Sequence, residues 1–225
     1  MTRKVKRKKL KVTRIILVLI IIALIILLLK FLIKVPVTGF YISGNTYYTD
    51  QEILDKTGLS SYPSFFLTSS FSVNSKIKSD KLIDNIKIKK TMLLKFKVIV
   101  NENKILFYNL DENRSIVKSG DKISYYDKDS PVLVNKVLSK KIYNKFISKM
   151  EKIDDDVLKN ISEIKYDPND IDDERFFVSM NDGNYVYLTL SKFSNINNYM
   201  KISRTLGDKN GILYLDYGNY FVPKE

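Results

Sequence analysis

The pattern of hydrophobic and polar positions is dominated by one uninterrupted apolar segment, residues 15–29, IILVLIIIALIILLL. At about 1.5 Å per residue, a helix over this run and the mostly apolar residues 30–34 approaches the roughly 30 Å of a bilayer core. The residues that follow offer no A-x-A-like cleavage site. The pattern therefore predicts an uncleaved transmembrane anchor over residues 15–35, in preference to a removed signal peptide or a buried core helix.

Beyond residue 36 the periodicity changes, and residues 36–102 predict a small α+β domain of order β-α-α-β-β. The first strand ends at a turn over 43–45. Thr49-Asp50-Gln51-Glu52 is a capping box that begins a helix, which Gly58 ends. The remaining elements are a helix over Asn74–Asn85, with Ile77, Leu82, Ile83 and Ile86 as its buried side, and two alternating strands over 86–89 and 94–100.

Residues 103–225 are richer in alternating segments and predict a larger, mixed antiparallel-sheet β domain with two amphipathic helices. The clearest hairpin joins strands 176–180 and 185–190 across Asp182-Gly183. The amphipathic helices cover 139–152, where Ile142, Phe146, Met150 and Ile153 recur at helical spacing, and 193–206. Further strands are predicted at 104–110, 114–118, 122–127, 164–166, 212–216 and 220–221, with a short extended piece from Pro131 and a short helix at 156–161.

The formal charge of +13 is concentrated at the N-terminus. Two more positive charges follow the apolar run, and the rest of the chain carries only the small remainder. A basic flank directly before an apolar span keeps the N-terminus in the cytoplasm, so residues 1–14 are predicted to form a cytoplasmic tail, with residues from about 35 onward outside. This topology accounts for the charge better than nucleic-acid binding does, and the tail also suits anionic lipid. The topology-setting residues are Arg3, Lys4, Lys6, Arg7, Lys8, Lys9, Lys11 and Arg14.

The chain contains no cysteine and no histidine. Disulfides, thiol nucleophiles and zinc-thiolate sites are thereby excluded, and the commonest general base and metal ligand is missing. We therefore expect no catalytic residues, no cofactor, no metal and no small-molecule substrate. The external part must fold by its hydrophobic core alone.

Two motifs suggest chemistry, but neither has the residue order that the chemistry requires. Ser115-Ile116-Val117-Lys118, Ser43-Gly44-Asn45 and Lys56-Thr57-Gly58 match the three short signatures of penicillin-binding enzymes, but their order is wrong and the serine motif lies in a predicted strand. The acidic cluster Asp167, Asp170, Asp172, Asp173 and Glu174 lacks the glycine and the bidentate glutamate of a calcium loop. We therefore expect this cluster to form a solvated loop.

The order of anchor and modules resembles the FtsQ/DivIB family of bacterial cell-division proteins. Residues 37–102 resemble the family's membrane-proximal POTRA domain, and the second half resembles its β domain. The proline often found before the third POTRA strand is absent. The segments that carry the resemblance are 42–45, the capped helix 49–58 with Leu59, Tyr62-Pro63-Ser64-Phe65-Phe66, 94–102, 161–166, Met180-Asn181-Asp182-Gly183 and 211–223.

The resemblance implies a non-enzymatic component of the divisome at the septum. Its partners would be the small bitopic proteins FtsL and DivIC, or FtsB in other lineages, and it would help control septal peptidoglycan synthesis. We expect the strand over residues 212–217, with Tyr220 and Phe221, to offer an edge to a partner strand, with tyrosines as anchors. The expected partner-binding residues are Ile212, Leu213, Tyr214, Leu215, Asp216, Tyr217, Tyr220 and Phe221.

Two other functions fit the same pattern. A POTRA-type chaperone or transport module outside the cytoplasm would also bind extended polypeptides by edge pairing, and a cell-wall enzyme would show peptidoglycan hydrolysis by its external domain. Depletion distinguishes a division component from a transport module. Loss of a division component yields filaments with unsplit septa, whereas loss of a transport module alters the surface proteome and leaves septation intact.

Overall fold

The computed structural model describes residues 12–207 and 209–224. It contains two compact units, one formed by residues up to 79 together with 85–102, and the other by 80–84 together with 103 onward. Each unit has its own sheet. The predicted fold class, an apolar helix followed by a small α+β domain and a larger mixed-sheet domain, is confirmed.

Helix α1, Val12–Lys34, contains the long apolar run. Its stretch Arg14–Lys34 is long and apolar enough to cross a membrane, with a mean hydropathy of 3.5, and none of it is buried against the rest of the protein. Leucine and isoleucine side chains exposed along a whole helix are unfavourable in water and favourable in lipid. The helix thus fits a membrane anchor.

The first unit places two short helices against a three-stranded sheet. The strand order is β1-β3-β2, with β1 parallel to β3 and Phe40 opposite Phe96. Phe96 is fully buried and stacks on Phe65 at 5.3 Å. The elements are β1 (Gly39–Ser43), α2 (Asp50–Thr57), α3 (Ser70–Ile77), β2 (Ile83–Lys90) and β3 (Lys95–Glu102), with 3-10 turns at Leu59–Ser61 and Met92–Leu94.

The capping box predicted for α2 is present. The Glu52 amide donates to the Thr49 hydroxyl at 3.3 Å, and the Thr49 amide donates to the Glu52 carboxylate at 2.8 Å. These hydrogen bonds lower the pKa of Glu52, the backbone bond from Thr49 being the largest cause. Gly58 ends the helix in the left-handed conformation.

The second helix of the predicted order is present, but its predicted bounds, Asn74–Asn85, are wrong. The observed helix α3 begins after Ser69, whose side chain shares a reciprocal cap with Ser72, and ends at Ile77. Ile83 and Ile86 are buried but lie in β2. The Asn74 side chain pairs with both backbone groups of Ile86, at 2.7 and 2.8 Å, which satisfies part of the strand's backbone from the helix.

The second unit is organised around a nine-stranded sheet of order β12-β11-β10-β9-β8-β7-β4-β5-β6. Three pairs are parallel, β10 with β11, β7 with β8 and β4 with β7, and the others with a described register are antiparallel. The strands are β4 (Ile105–Asn109), β5 (Arg114–Val117), β6 (Lys122–Ile123), β7 (Val132–Leu133), β8 (Ile161–Tyr166), β9 (Arg175–Met180), β10 (Tyr185–Thr189), β11 (Gly211–Tyr214) and β12 (Tyr220–Pro223).

Three helices, α4 (Lys140–Met150), α5 (Asp155–Leu158) and α6 (Tyr199–Leu206), accompany this sheet. The apolar face predicted for α4 is confirmed, since Ile142, Phe146 and Met150 are buried in the core. Three predictions were partly wrong. Ile161 begins β8 instead of ending a helix, residues 193–198 form a 3-10 helix before α6, and the strand predicted over 122–127 is only two residues long.

The predicted hairpin over Asp182-Gly183 is confirmed, with Tyr185 opposite Ser179. The Asp182 carboxylate accepts hydrogen bonds from the buried Tyr199 hydroxyl at 2.7 and 2.8 Å, and from the Ser203 hydroxyl at 3.2 Å. Burial by itself raises the pKa of Asp182, but the hydrogen bonds from Tyr199 and Asn184 outweigh it and the pKa is lowered. Burial, together with the same carboxylate, raises the pKa of Tyr199.

The Asp182 carboxylate is expected to make the free energy of unfolding depend on pH. Because the pKa of Asp182 is lower in the folded state than in the unfolded state, its contribution is complete above the unfolded pKa and is lost as the pH falls below about 4. Between about pH 5 and 3, the free energy of unfolding should therefore fall further for the wild type than for Asp182→Asn. The difference between the two should be less than about 1 kcal/mol, because the carboxylate is partly solvated. Urea titrations at each pH measure the difference, and parallel stability curves would contradict it.

Candidate functional site

The terminal strand β12 leaves one side of the large sheet open. Among the described strands it pairs only with β11, in antiparallel register with Tyr214 opposite Tyr220 and Leu213 opposite Phe221. The Lys224 amide donates to the Asn210 carbonyl at 2.8 Å. Every second residue of an antiparallel strand directs its amide to the same neighbour, so every second residue of β12, counted back from Lys224, faces β11. The outer edge accordingly presents the amide and carbonyl of Phe221 and the carbonyl of Pro223, and no other described strand pairs there.

Pro223 limits this edge because it has no amide hydrogen. A proline in a sheet is tolerated on an edge strand, where its missing donor leaves no gap in the ladder. An incoming strand could therefore pair at Phe221 but would find no donor at Pro223. The edge is short and lacks a donor at Pro223, and both features disfavour non-specific pairing with the edges of other sheets.

Gly211 is the position at which β12 lies closest to its neighbour. A Cβ atom at residue 211 would lie 2.2 Å from the Val222 carbonyl oxygen and 2.9 Å from the Pro223 Cα. Both contacts are with backbone, so neither could be relieved by moving a side chain. A glycine at residue 211 thus permits β12 to lie directly against β11.

An aromatic row crosses the outer face of the sheet and ends at this edge. Phe177 and Tyr187 lie 4.8 Å apart between ring centroids, Tyr187 and Tyr214 lie 5.3 Å apart, and Tyr214 and Tyr220 stack at 4.7 Å with their planes 9° apart. The rings come from four consecutive strands of the sheet, β9 to β12. Tyr220 is exposed at the end of the row, where a stacked aromatic pair can anchor a partner.

Arg175 packs against the Tyr187 ring of this row. Its guanidinium lies 3.5 Å from the centroid of Tyr187, its Nε donates to the buried Asp216 carboxylate at 2.9 Å, and a second nitrogen donates to Asp167 at 3.2 Å. Burial by itself lowers the pKa of Arg175, but the hydrogen bond to Asp216 and the electrostatic effect of the Tyr187 side chain outweigh it, and the pKa is raised. The Lys192 ammonium also donates to the Asp216 carbonyl at 2.6 Å.

The expected partner-binding residues differ in strand pairing and in exposure. Ile212, Leu213 and Tyr214 lie in β11, which pairs on both sides, so the open edge expected over 212–217 lies instead on β12. Leu213, Leu215 and Asp216 are buried. The exposed or partly exposed residues near the edge are Ile212, Tyr214, Tyr217, Tyr220 and Phe221.

Sequence reasoning missed four contributors to this surface, namely Phe177, Tyr187, Val222 and Pro223. The alternation of partly exposed aromatics with buried residues in β9 and β10 was an available signal for the first two. Pro223 was an available signal for an edge strand. Arg175 carried no signal, because its buried partner Asp216 is 41 residues away in the sequence.

Most of the topology-setting residues lie outside the described part of the chain. These are Arg3, Lys4, Lys6, Arg7, Lys8, Lys9 and Lys11, whereas Arg14 is in the first turn of α1.

Residues of the two motifs that suggest chemistry are buried or paired within the fold. Ser115 is buried in β5, and the Thr57 hydroxyl at the end of α2 donates to the Ile53 carbonyl at 2.6 Å. In the acidic loop, Asp167 pairs with Arg175 and Glu174 pairs with Lys145. Within residues 12–207 and 209–224, no group of three acidic side chains is placed to hold a metal ion.

Comparison with known proteins gives matches to a domain family and to bacterial cell division proteins. A family model described as POTRA domain, FtsQ-type, matches residues 35–103. The cell division protein DivIB of Bacillus subtilis (strain 168) is 26% identical over 196 residues, which are 82% of this chain and 73% of that protein. The DivIB of Geobacillus kaustophilus (strain HTA426) is 28% identical over 194 residues, 81% of this chain and 73% of that protein.

A solved structure is also similar. It is the major extracytoplasmic domain of the trans isomer of the bacterial cell division protein DivIB from Geobacillus stearothermophilus, with a TM-score of 0.39 and 24% identity. The alignment covers 47% of this chain and 95% of that one. The family model and the DivIB relatives confirm the resemblance that the sequence motifs predicted.

Proposed function

We propose that this chain, a member of the FtsQ/DivIB family of bacterial cell division proteins, is a membrane-anchored scaffold that binds other division proteins. Its partners would be the bitopic proteins of the FtsL and DivIC or FtsB type, and through them it would help control septal peptidoglycan synthesis. The observation that carries the proposal is the open edge of β12, which ends in the stacked pair of Tyr214 and Tyr220.

The anchor fits this role. With the N-terminal basic flank in the cytoplasm, both units would lie outside, at the septum, in the plane where bitopic partners emerge. Tethering two molecules to one membrane raises their effective concentration without any further contact. A short edge strand can then suffice for a stable complex.

The first test replaces an exposed anchor at the edge. Tyr220→Glu places a charge at the end of the aromatic row, and we expect it to abolish co-purification of the DivIC-type partner, because a desolvated aromatic anchor is lost and a carboxylate must be buried. The matched control is Tyr126→Glu. Tyr126 is similarly exposed and packs beside Tyr108 of β4, six strands from β12 in the sheet order. Unchanged binding by a folded Tyr220→Glu protein would rule out this edge.

A second pair of variants distinguishes strand pairing from side-chain contact. Phe221→Ala and Phe221→Pro both remove the ring, but only the proline removes the amide that faces outward. Binding by strand addition predicts that the proline variant loses much more affinity than the alanine variant. Equal affinities for the two variants would show that the partner does not use the backbone edge.

A further inference from the structure

The first unit exposes four large apolar side chains in two neighbouring loops. Met92 is 91% exposed, Leu93 79%, Leu67 61% and Phe66 45%. We call these four residues the apolar tip. The Lys90 ammonium, two residues before Met92, donates to the Phe66 carbonyl at 2.8 Å, so the two loops lie side by side. Grouped apolar side chains of this size mark an interaction surface.

Both loops of the apolar tip are hydrogen-bonded to the segment that leaves the membrane helix. The Phe65 amide donates to the Val35 carbonyl at 2.9 Å, directly before Phe66. Thr38 donates its amide to the Leu94 carbonyl at 2.9 Å and its hydroxyl to the Leu93 carbonyl at 2.6 Å. Because α1 ends at Lys34, the chain from its end to these contacts is at most about 14 Å long even when fully extended.

The backbone at the apolar tip is strained in a way that keeps leucine exposed. Leu93 has φ of 62° and ψ of 29°, and Leu94 has φ of 57°. Glycine or asparagine usually occupies this left-handed region, because a Cβ atom is crowded there. Folding alone would favour a small or polar residue at such a turn. A leucine held there with its side chain in solvent points to a role for that side chain outside the fold.

Basic residues lie close to the apolar tip along the chain. Lys87, Lys89, Lys90 and Lys95 lie on the two strands that meet at the Met92–Leu94 turn, and Lys34 ends the membrane helix. Lysines beside exposed apolar side chains suit a bilayer surface, since the ammonium groups meet anionic headgroups while the apolar groups enter the acyl boundary.

We propose that the apolar tip inserts into the leaflet from which α1 emerges at Lys34. The ligand is the lipid surface itself, with anionic headgroups contacting the lysines. Such insertion would give the first unit a second attachment beside its helix and restrict how the unit tilts. The proposal rests on the membrane-spanning role of α1 and not on the partner bound at β12, so loss of partner binding leaves it standing.

The test measures the depth of the apolar tip in a membrane. The chain has no native cysteine, so Met92→Cys can be labelled uniquely with an environment-sensitive nitrobenzoxadiazole dye. The full chain is reconstituted into vesicles of phosphatidylethanolamine and phosphatidylglycerol that contain lipids with a nitroxide on the acyl chain. We expect a blue-shifted emission and quenching several-fold greater than at Leu138→Cys. Leu138 is a matched control, 83% exposed, in the second unit.

A second variant separates membrane insertion from fold stability. Leu93→Gly relieves the left-handed strain, so thermal unfolding should not occur at a lower temperature, while quenching of the dye at residue 92 should fall because an inserting side chain is lost. Quenching at residue 92 equal to that at residue 138 would overturn the proposal. So would a Leu93→Gly protein that stays folded with undiminished quenching, and either result would leave a protein partner as the occupant.

Discussion

Replacing Phe146 by alanine is expected to lower the free energy of unfolding of the second unit by about 3–5 kcal/mol. Phe146 is fully buried on α4. Its ring stacks on Phe176 at 4.7 Å and contacts Phe107 at 5.1 Å and Phe193 at 5.7 Å. These three rings come from different elements, so no single shift closes the cavity. Urea unfolding followed by circular dichroism measures the loss.

Leu138→Ala is the control for this substitution, since it removes a large apolar side chain of the same unit from a site that is 83% exposed. Its effect should stay within about 0.5 kcal/mol, as for most surface substitutions. A loss of less than about 1 kcal/mol for Phe146→Ala would contradict the assigned core, because full burial of a phenylalanine contributes more than that.

Phe146 also shows which parts of the fold the sequence could predict. The spacing of Ile142, Phe146 and Met150 predicted both the helix and its buried face. The cap at Thr49 and the hairpin at Asp182-Gly183 were equally local, and both are present. In each case the chemistry that determines the element lies within a few residues of sequence.

The prediction over residues 74–85 failed because two signals conflicted. Ile83 and Ile86 are three residues apart and both buried, a spacing typical of a helix, yet they lie in strand β2. The decisive signal was the reciprocal cap of Ser69 and Ser72, which places the helix start earlier. Tertiary pairing, including the hydrogen bonds from Asn74 to Ile86, then stabilises the strand.

The open edge was misplaced for a different reason. Whether β11 or β12 lies at the edge of the sheet depends on the parallel pairing of β10 with β11. These two strands are connected in sequence by the 3-10 helix and α6. Alternation predicts that a segment is a strand but does not give its neighbours. The tyrosines could therefore be expected at a surface, whereas the order of the strands that carry them could not.

Arg175 could not be identified from the sequence for the same reason, and its replacement is the second large effect that we expect. Its side chain is 12% exposed and the Asp216 side chain that it pairs with is 2% exposed. Removing one partner of a buried ion pair leaves a charge without compensation in a place that water does not reach. Arg175→Ala should therefore lower the free energy of unfolding by about 3–5 kcal/mol.

The double variant gives the decisive comparison. Arg175→Ala combined with Asp216→Ala removes both charges, so it should be less destabilised than the sum of the two single variants, with a coupling energy of about 0.5–3 kcal/mol in urea titrations. Additive single effects would show that the pair does not interact energetically. Asp216 lies just after β11 and Arg175 lies in β9. Their ion pair therefore helps to hold β11, the strand with which β12 pairs, in place. Partner binding should consequently weaken in Arg175→Ala even though no residue of the open edge has changed.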